Sequence, residues 1–126
     1  MNLPNSYISN LVMKINYNNR KIAGVKNTPN GQVSGETIFH YKQDQQTLTA
    51  TYKGGLILEG YLLGSVQKDS SLQFVYHHMD IEGNLFSGYC ESIPELLSGD
   101  RIRLHEKWLW THGGDGNGES VVEEII

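Results

Sequence analysis

Along most of this chain, apolar and polar side chains alternate in short runs broken by turn-forming residues. The clearest run is residues 101–111, Arg-Ile-Arg-Leu-His-Glu-Lys-Trp-Leu-Trp-Thr. Successive side chains of a strand point to opposite faces. On that period one face carries Ile102, Leu104, Glu106, Trp108 and Trp110. The other carries Arg101, Arg103, His105 and Lys107, with only Leu109 out of character. A helical period would scatter the indoles and the charges around the axis, so the run reads as a strand with one buried and one wet face. Residues 47–52 alternate as cleanly, with Leu48, Ala50 and Tyr52 inward and three threonines outward.

Similar runs predict strands at 12–17, 21–25, 34–41, 56–66, 72–79, 85–92 and 119–126. Between them lie turn residues: Asn18-Asn19, the cluster from Asn27 to Gly31, Asp44 to Gln46, Lys53 to Gly55, Lys68 to Ser71 and Glu82 to Asn84. Residues 94–99 are the one predicted helical turn, with Ser92 as cap and Gly99 as stop. Gly60, Gly64 and Gly88 stand inside strands, where glycine marks a bend or a close approach in a sheet that curls on itself. Gly60-Tyr61 and Gly88-Tyr89 follow similar turns, an echo that reads as hairpin chemistry used twice. No connection is long enough for a crossover helix. The expected fold is all-β, an antiparallel up-and-down β-barrel of about 8–9 strands.

A length of 126 residues fits one domain. Residues 1–12 are rich in Asn and Ser and uncharged, so they read as an N-terminal extension to a barrel domain at 13–126. With 38% hydrophobic and 19% charged residues the chain is globular rather than disordered. The net charge of -4 offers no basic footprint for nucleic acid. The basic stripe on residues 101–107 reads as a solvated face or a protected sheet edge. The single cysteine, Cys90, rules out a disulfide framework. No apolar run approaches the roughly 20 residues of a membrane span, and none resembles a signal peptide. A cytoplasmic protein without a membrane partner is expected.

Glu106 is the most informative residue. A carboxylate among Leu104 and Trp108 needs a hydrogen-bond donor or stays protonated. Tyr76, His78 and Tyr89 are the candidate donors. It is then either part of a fixed core network, or a polar anchor or acid/base inside a cavity. Trp108 and Trp110 either fill the barrel or line a pocket. His77 and His78 are adjacent and so face opposite ways, with His78 on the row of Phe74 and Tyr76. Five histidines show no zinc spacing, so no metal and no other cofactor is expected. The stretch from Asp115 to Glu119 lacks the later positions of a calcium loop. The glycine-rich residues 111–118 read as a loose hairpin or a lid. Cys90 reads as a buried structural thiol, and no serine sits in a nucleophile elbow.

The runs Asn-Thr-Pro-Asn-Gly at 27–31, Ser-Gly-Glu-Thr at 34–37, Tyr-Lys-Gly-Gly at 52–55 and the whole of 101–111 resemble a small family of bacterial proteins. Some of these carry the label acetylglutamate synthase. The resemblance spans the chain from about Met13 and implies a lipocalin-like, or calycin, barrel. Three functions stay open. The first is binding of a small, partly apolar ligand by Glu106, Trp108, Trp110, Tyr76, His78 and Tyr89. The second is an isomerase or hydrolase using Glu106 and His78 as an acid/base pair. The third is a solid-cored barrel acting through its outer face, with homodimerisation suggested by edge strands and abundant tyrosine. The first two require a cavity of about 300 Å3.

Overall fold

A computed structural model describes residues 14–125. Eight strands follow one another: β1 (Arg20–Asn27), β2 (Ile38–Asp44), β3 (Thr47–Gly54), β4 (Ile57–Val66), β5 (Leu72–Asp80), β6 (Leu85–Leu96), β7 (Ile102–His112) and β8 (Asn117–Glu124). Each pairs antiparallel with its sequence neighbours, and β8 returns to β1 to close the barrel. The all-β meander barrel read from the alternation is the fold observed. Closure gives every one of these strands a partner on both sides, with only strand ends overhanging. The protected-edge reading of the basic stripe therefore falls: β7 lies between β6 and β8, and its Arg103 bonds Glu95 and Glu123 on those neighbours. Homodimerisation likewise cannot rest on edge strands.

Parity within the strands follows the sequence. Ile102, Leu104 and Trp108 are buried beside Glu106, and Leu48, Ala50 and Tyr52 are buried on β3. Four in-strand glycines face inward aromatic rings across the ladder. Gly60 opposes Tyr52, Gly64 opposes Phe74, Gly88 opposes Tyr76 and Gly118 opposes Trp108. A Cβ on Gly60 would stand 2.5 Å from Cζ of Tyr52, so the ring lies where a side chain would otherwise be.

Several boundaries differ from expectation. Residues 14–17 form no strand, and Val12 and Met13 lie outside the described residues, as do 1–11 and Ile126. Ile15 and Tyr17 nevertheless point into the core. Their backbone donors go to the side chains of Ser70 and Gln43 rather than to a ladder, and the Tyr17 hydroxyl donates to the Ser70 carbonyl at 2.5 Å. This segment plugs the end of the barrel that carries the β2–β3, β4–β5 and β6–β7 turns. The expected strand at 34–41 begins only at Ile38. The Thr37 hydroxyl instead accepts from Ser34 N–H and donates to the Gly54 carbonyl, which holds a turn. Residues 94–99 are not a helical turn. β6 continues to Leu96 and a 3-10 turn follows at Ser98–Asp100, with Gly99 at φ 70°. Beyond Ser92, β6 pairs with β7 alone, the edge-like setting in which a strand tolerates Pro94. Strands also absorb half of the glycine-rich stretch at 111–118, leaving residues 113–116 between β7 and β8.

Candidate functional site

The opposite end of the barrel is closed differently. Residues 28–37, between β1 and β2, run across it and meet inward side chains by hydrogen bonds. Trp110 Nε1 donates to the Asn30 carbonyl at 3.0 Å, and His78 Nε2 lies 2.6 Å from Gln32 Oε1. Asn30 Nδ2 in turn donates to the carbonyls of Asp115 and Asn117, so the β7–β8 turn braces the cover. Beneath it lies a cavity of about 40 Å3, whose walls include Phe39, Tyr52, Phe74, Tyr76, Trp108 and Trp110, with Glu106 and Ser120 deeper in. A wider depression of about 780 Å3 involves charges of both signs on the outer faces of β6 to β8, among them Glu91, Lys107 and Glu119.

Glu106 is 9% exposed. Register places Ser92 of β6 and Ser120 of β8 directly beside it on the inner surface. Ser92 Oγ donates to one carboxyl oxygen at 2.8 Å and Ser120 Oγ to the other at 3.0 Å. Loss of hydration pushes its pKa up to about 7, and the two serine bonds hold it from going higher. The donors expected from the sequence are not the ones used. Tyr76 donates to the Leu109 carbonyl instead. Tyr89 lies on the outer surface, where its hydroxyl donates to Glu91, because the inward position on β6 belongs to Cys90. It does not line the cavity.

His78 faces inward as expected and is 3% exposed. Its Nδ1 lies 3.0 Å from the Tyr52 hydroxyl. Because Gln32 Oε1 can only accept, Nε2 carries the proton and Nδ1 accepts from Tyr52. Burial pushes the pKa down to about 4, against the pull of Asp80, so the ring is neutral. His78 and Glu106 line one cavity, yet no hydrogen bond joins them and they share no partner. Trp108 and Trp110 pack with centroids 5.3 Å apart, and Trp110 also meets His78 at 6.0 Å. Cys90 is buried, and loss of hydration raises its thiol pKa well above the usual value. Among the described residues no group of three or more potential ligands could hold a metal ion.

The site also includes residues that sequence reasoning passed over. Ser92 was read as a helix cap and Ser120 was not singled out, although both stand on inward rows. Gln32 and Asn30 fell inside or beside a turn cluster. Asn27 Oδ1 and Thr28 Oγ1, at the start of the covering loop, are buried with no hydrogen-bond partner.

An eight-stranded meander barrel with an aromatic and ionisable chamber at one end is a barrel of the calycin type. The chain belongs to the avidin-like protein family, which matches over residues 15–125. No curated protein and no solved structure matches it. The acetylglutamate synthase label borne by some proteins it resembles is not confirmed by this match. Among the described residues the one helical element is the 3-10 turn at Ser98–Asp100, too short for the helix amino terminus on which a coenzyme pyrophosphate is usually gripped.

Proposed function

We propose that the protein binds a small, partly apolar ligand at the end of the barrel covered by residues 28–37. The observation that carries this reading is the contrast between the two ends. Ile15 and Tyr17 plug one end. The other keeps a cavity of about 40 Å3 among aromatic rings and a buried acid, with an unpartnered acceptor, Asn27 Oδ1, at its rim. Buried polar atoms are rarely left unpaired, so a ligand or water is the natural partner there. Avidin-like barrels bind small ligands such as biotin, which supports the same reading.

At about 40 Å3 the cavity is far below the roughly 300 Å3 of a usual ligand pocket. Uptake of anything beyond a few atoms therefore requires the covering loop to lift, breaking the Trp110–Asn30 and His78–Gln32 bonds. Trp108, Trp110 and Tyr76 supply apolar contact, and Glu106 and His78 polar fixings. An acid/base enzyme gains less support, since His78 is neutral and committed to Tyr52 and Gln32. The two indole N–H signals in 1H–15N spectra test the site, because the chain has only two tryptophans. Small-molecule hits, biotin included, are expected to move both. Hits that move only outer-surface amides would place binding elsewhere and overturn the reading.

A second reading concerns the outer wall. Leu63, Val75, Tyr89 and Leu109 stand side by side in register across β4 to β7. Leu63, Val75 and Leu109 are 56%, 55% and 42% exposed. A continuous apolar row of this kind marks an interaction surface, and a second copy offering the same row would cover it as a two-fold homodimer.

A further inference from the structure

The cavity walls select the charge of what enters. No lysine or arginine lines the cavity, and its ionisable groups are Glu106, His78, Cys90, Tyr52 and Tyr76. Burial keeps the thiol and both phenols protonated and His78 neutral. Glu106 is therefore the one group of the cavity that takes up a formal charge, above about pH 7, and that charge is negative. Around it the rings form a continuous chain: Trp108 on Trp110 at 5.3 Å, Trp110 on Tyr76 at 5.8 Å and Tyr76 on Phe74 at 6.3 Å. Aromatic faces attract cations, most strongly when water is excluded. A desolvated carboxylate held by only two hydroxyls gains most from a positively charged neighbour.

We propose that the chamber receives the head group of a small organic cation, a methyl-substituted ammonium, with Glu106 as counter-ion and the rings of Trp108, Trp110, Tyr76 and Phe74 as its wall. The proposal rests on the ligand-binding reading above and adds the charge of the ligand to it. The head group has few heavy atoms, because the cavity is about 40 Å3, and any longer substituent leads out beneath residues 28–37. The same field disfavours an anionic head group.

Affinity for a permanently charged cation then rises as Glu106 ionises. Every inward group near Glu106 is otherwise silent between pH 5.5 and 8.5. Ser92 on β6 and Ser120 on β8 do not titrate. Tyr41 on β2, Tyr52 on β3, Tyr76 on β5 and Cys90 on β6 stay protonated. His78 on β5, lowered to about 4, stays neutral. On the flanking strands Glu91, His105, Lys107 and Glu119 alternate with the inward residues and face outward.

The test is calorimetric titration of the full-length protein with choline, its neutral isostere 3,3-dimethyl-1-butanol and the anion 3,3-dimethylbutanoate, at pH 5.5 and 8.5. At pH 8.5 choline is expected to bind about tenfold tighter than the alcohol, and the anion, whose tert-butyl head is equally uncharged, no tighter than the alcohol. Choline affinity is expected to fall about tenfold at pH 5.5, while the alcohol is unaffected. Glu106→Gln is expected to bring choline down to the level of the alcohol at both pH values. If that variant does not fold, the pH dependence of the choline-to-alcohol ratio in the unsubstituted protein decides alone. Equal binding of choline and alcohol, or tighter binding of the anion, overturns the charge assignment but leaves a ligand-binding barrel standing. Failure of choline to bind at either pH also overturns the cation proposal. The indole signals described above judge the ligand-binding reading separately.

Discussion

Glu106 shares its inward row with Leu104 and Trp108, and hydroxyls from both flanking strands offset part of the cost of burying its carboxyl. Its raised pKa makes stability depend on pH in a stated direction. Below pH 4.5 both folded and unfolded chains hold the proton. From 4.5 to about 7 the unfolded chain has lost it and the folded chain has not, so stability falls as pH rises, and above about 7 this contribution is flat. The drop is about 3 kcal/mol at one pKa unit per 1.36 kcal/mol. Glu106→Gln cannot titrate. Urea unfolding of the two proteins is expected to show the variant gaining about that much relative stability between pH 4.5 and 8. A variant that loses stability equally at every pH would make Glu106 a fixed structural partner instead. The burial of this acid was legible from alternation alone, as was the inward His78. Its donors were not, because Ser92 and Ser120 become its neighbours only through the register of three strands. Tyr89 was misplaced by one residue of parity, which on a strand exchanges inside for outside.

Among the elements, the strand glycines and the covering loop separate what a sequence shows from what it hides. Glycines inside strands signalled curling and close approach, and each of four faces an aromatic ring across the ladder. The repeated Gly-Tyr pair follows from this arrangement. Gly60 and Gly88 lie against Tyr52 and Tyr76 inside, while Tyr61 and Tyr89 point out. A Cβ on Gly88 would collide with the Leu109 carbonyl and the Tyr76 ring, and so disturb the Tyr76–Leu109 bond. Gly88→Ala is expected to cost about 1–3 kcal/mol in denaturant unfolding. An unchanged midpoint would mean that the ring moves aside freely. The covering loop was hidden because its contacts are made by side chains distant in sequence, Trp110 and His78. Strand 12–17 was predicted for a related reason: Ile15 and Tyr17 alternate correctly, but no neighbouring ladder receives them. Trp110→Phe keeps the ring and removes the donor to Asn30. Amide exchange within residues 28–37 is expected to quicken about fivefold, as the loss of one hydrogen bond worth about 1 kcal/mol implies. Unchanged exchange would show that the loop is held by other contacts.

As a whole, the barrel has two plain differences of polarity, one along its axis and one around its wall. Along the axis, a plugged end faces an end closed by a loop over aromatic and acidic groups. Around the wall, ion pairs of Arg101 and Arg103 with Glu95 and Glu123, and a hydrogen bond from His105 to Glu95, tie β6, β7 and β8, while apolar residues lie exposed on β4 and β5. Val75 stands mid-row on that apolar side. Val75→Glu is expected to give a monomer by sedimentation where the parent sediments as a dimer, with little change in melting temperature. A monomeric parent would contradict the proposed pairing. The closed topology was legible from strand spacing and short turns, whereas the wall became visible only once register set Leu63, Val75, Tyr89 and Leu109 in line. The most direct measurement of ligand binding is native mass spectrometry of freshly purified protein, compared with the denatured chain. The expected result is a small adduct that leaves on activation and is lost in a double variant, Glu106→Gln with Trp108→Ala. A bare chain mass that no small molecule shifts in parent or variant would contradict a ligand-binding barrel.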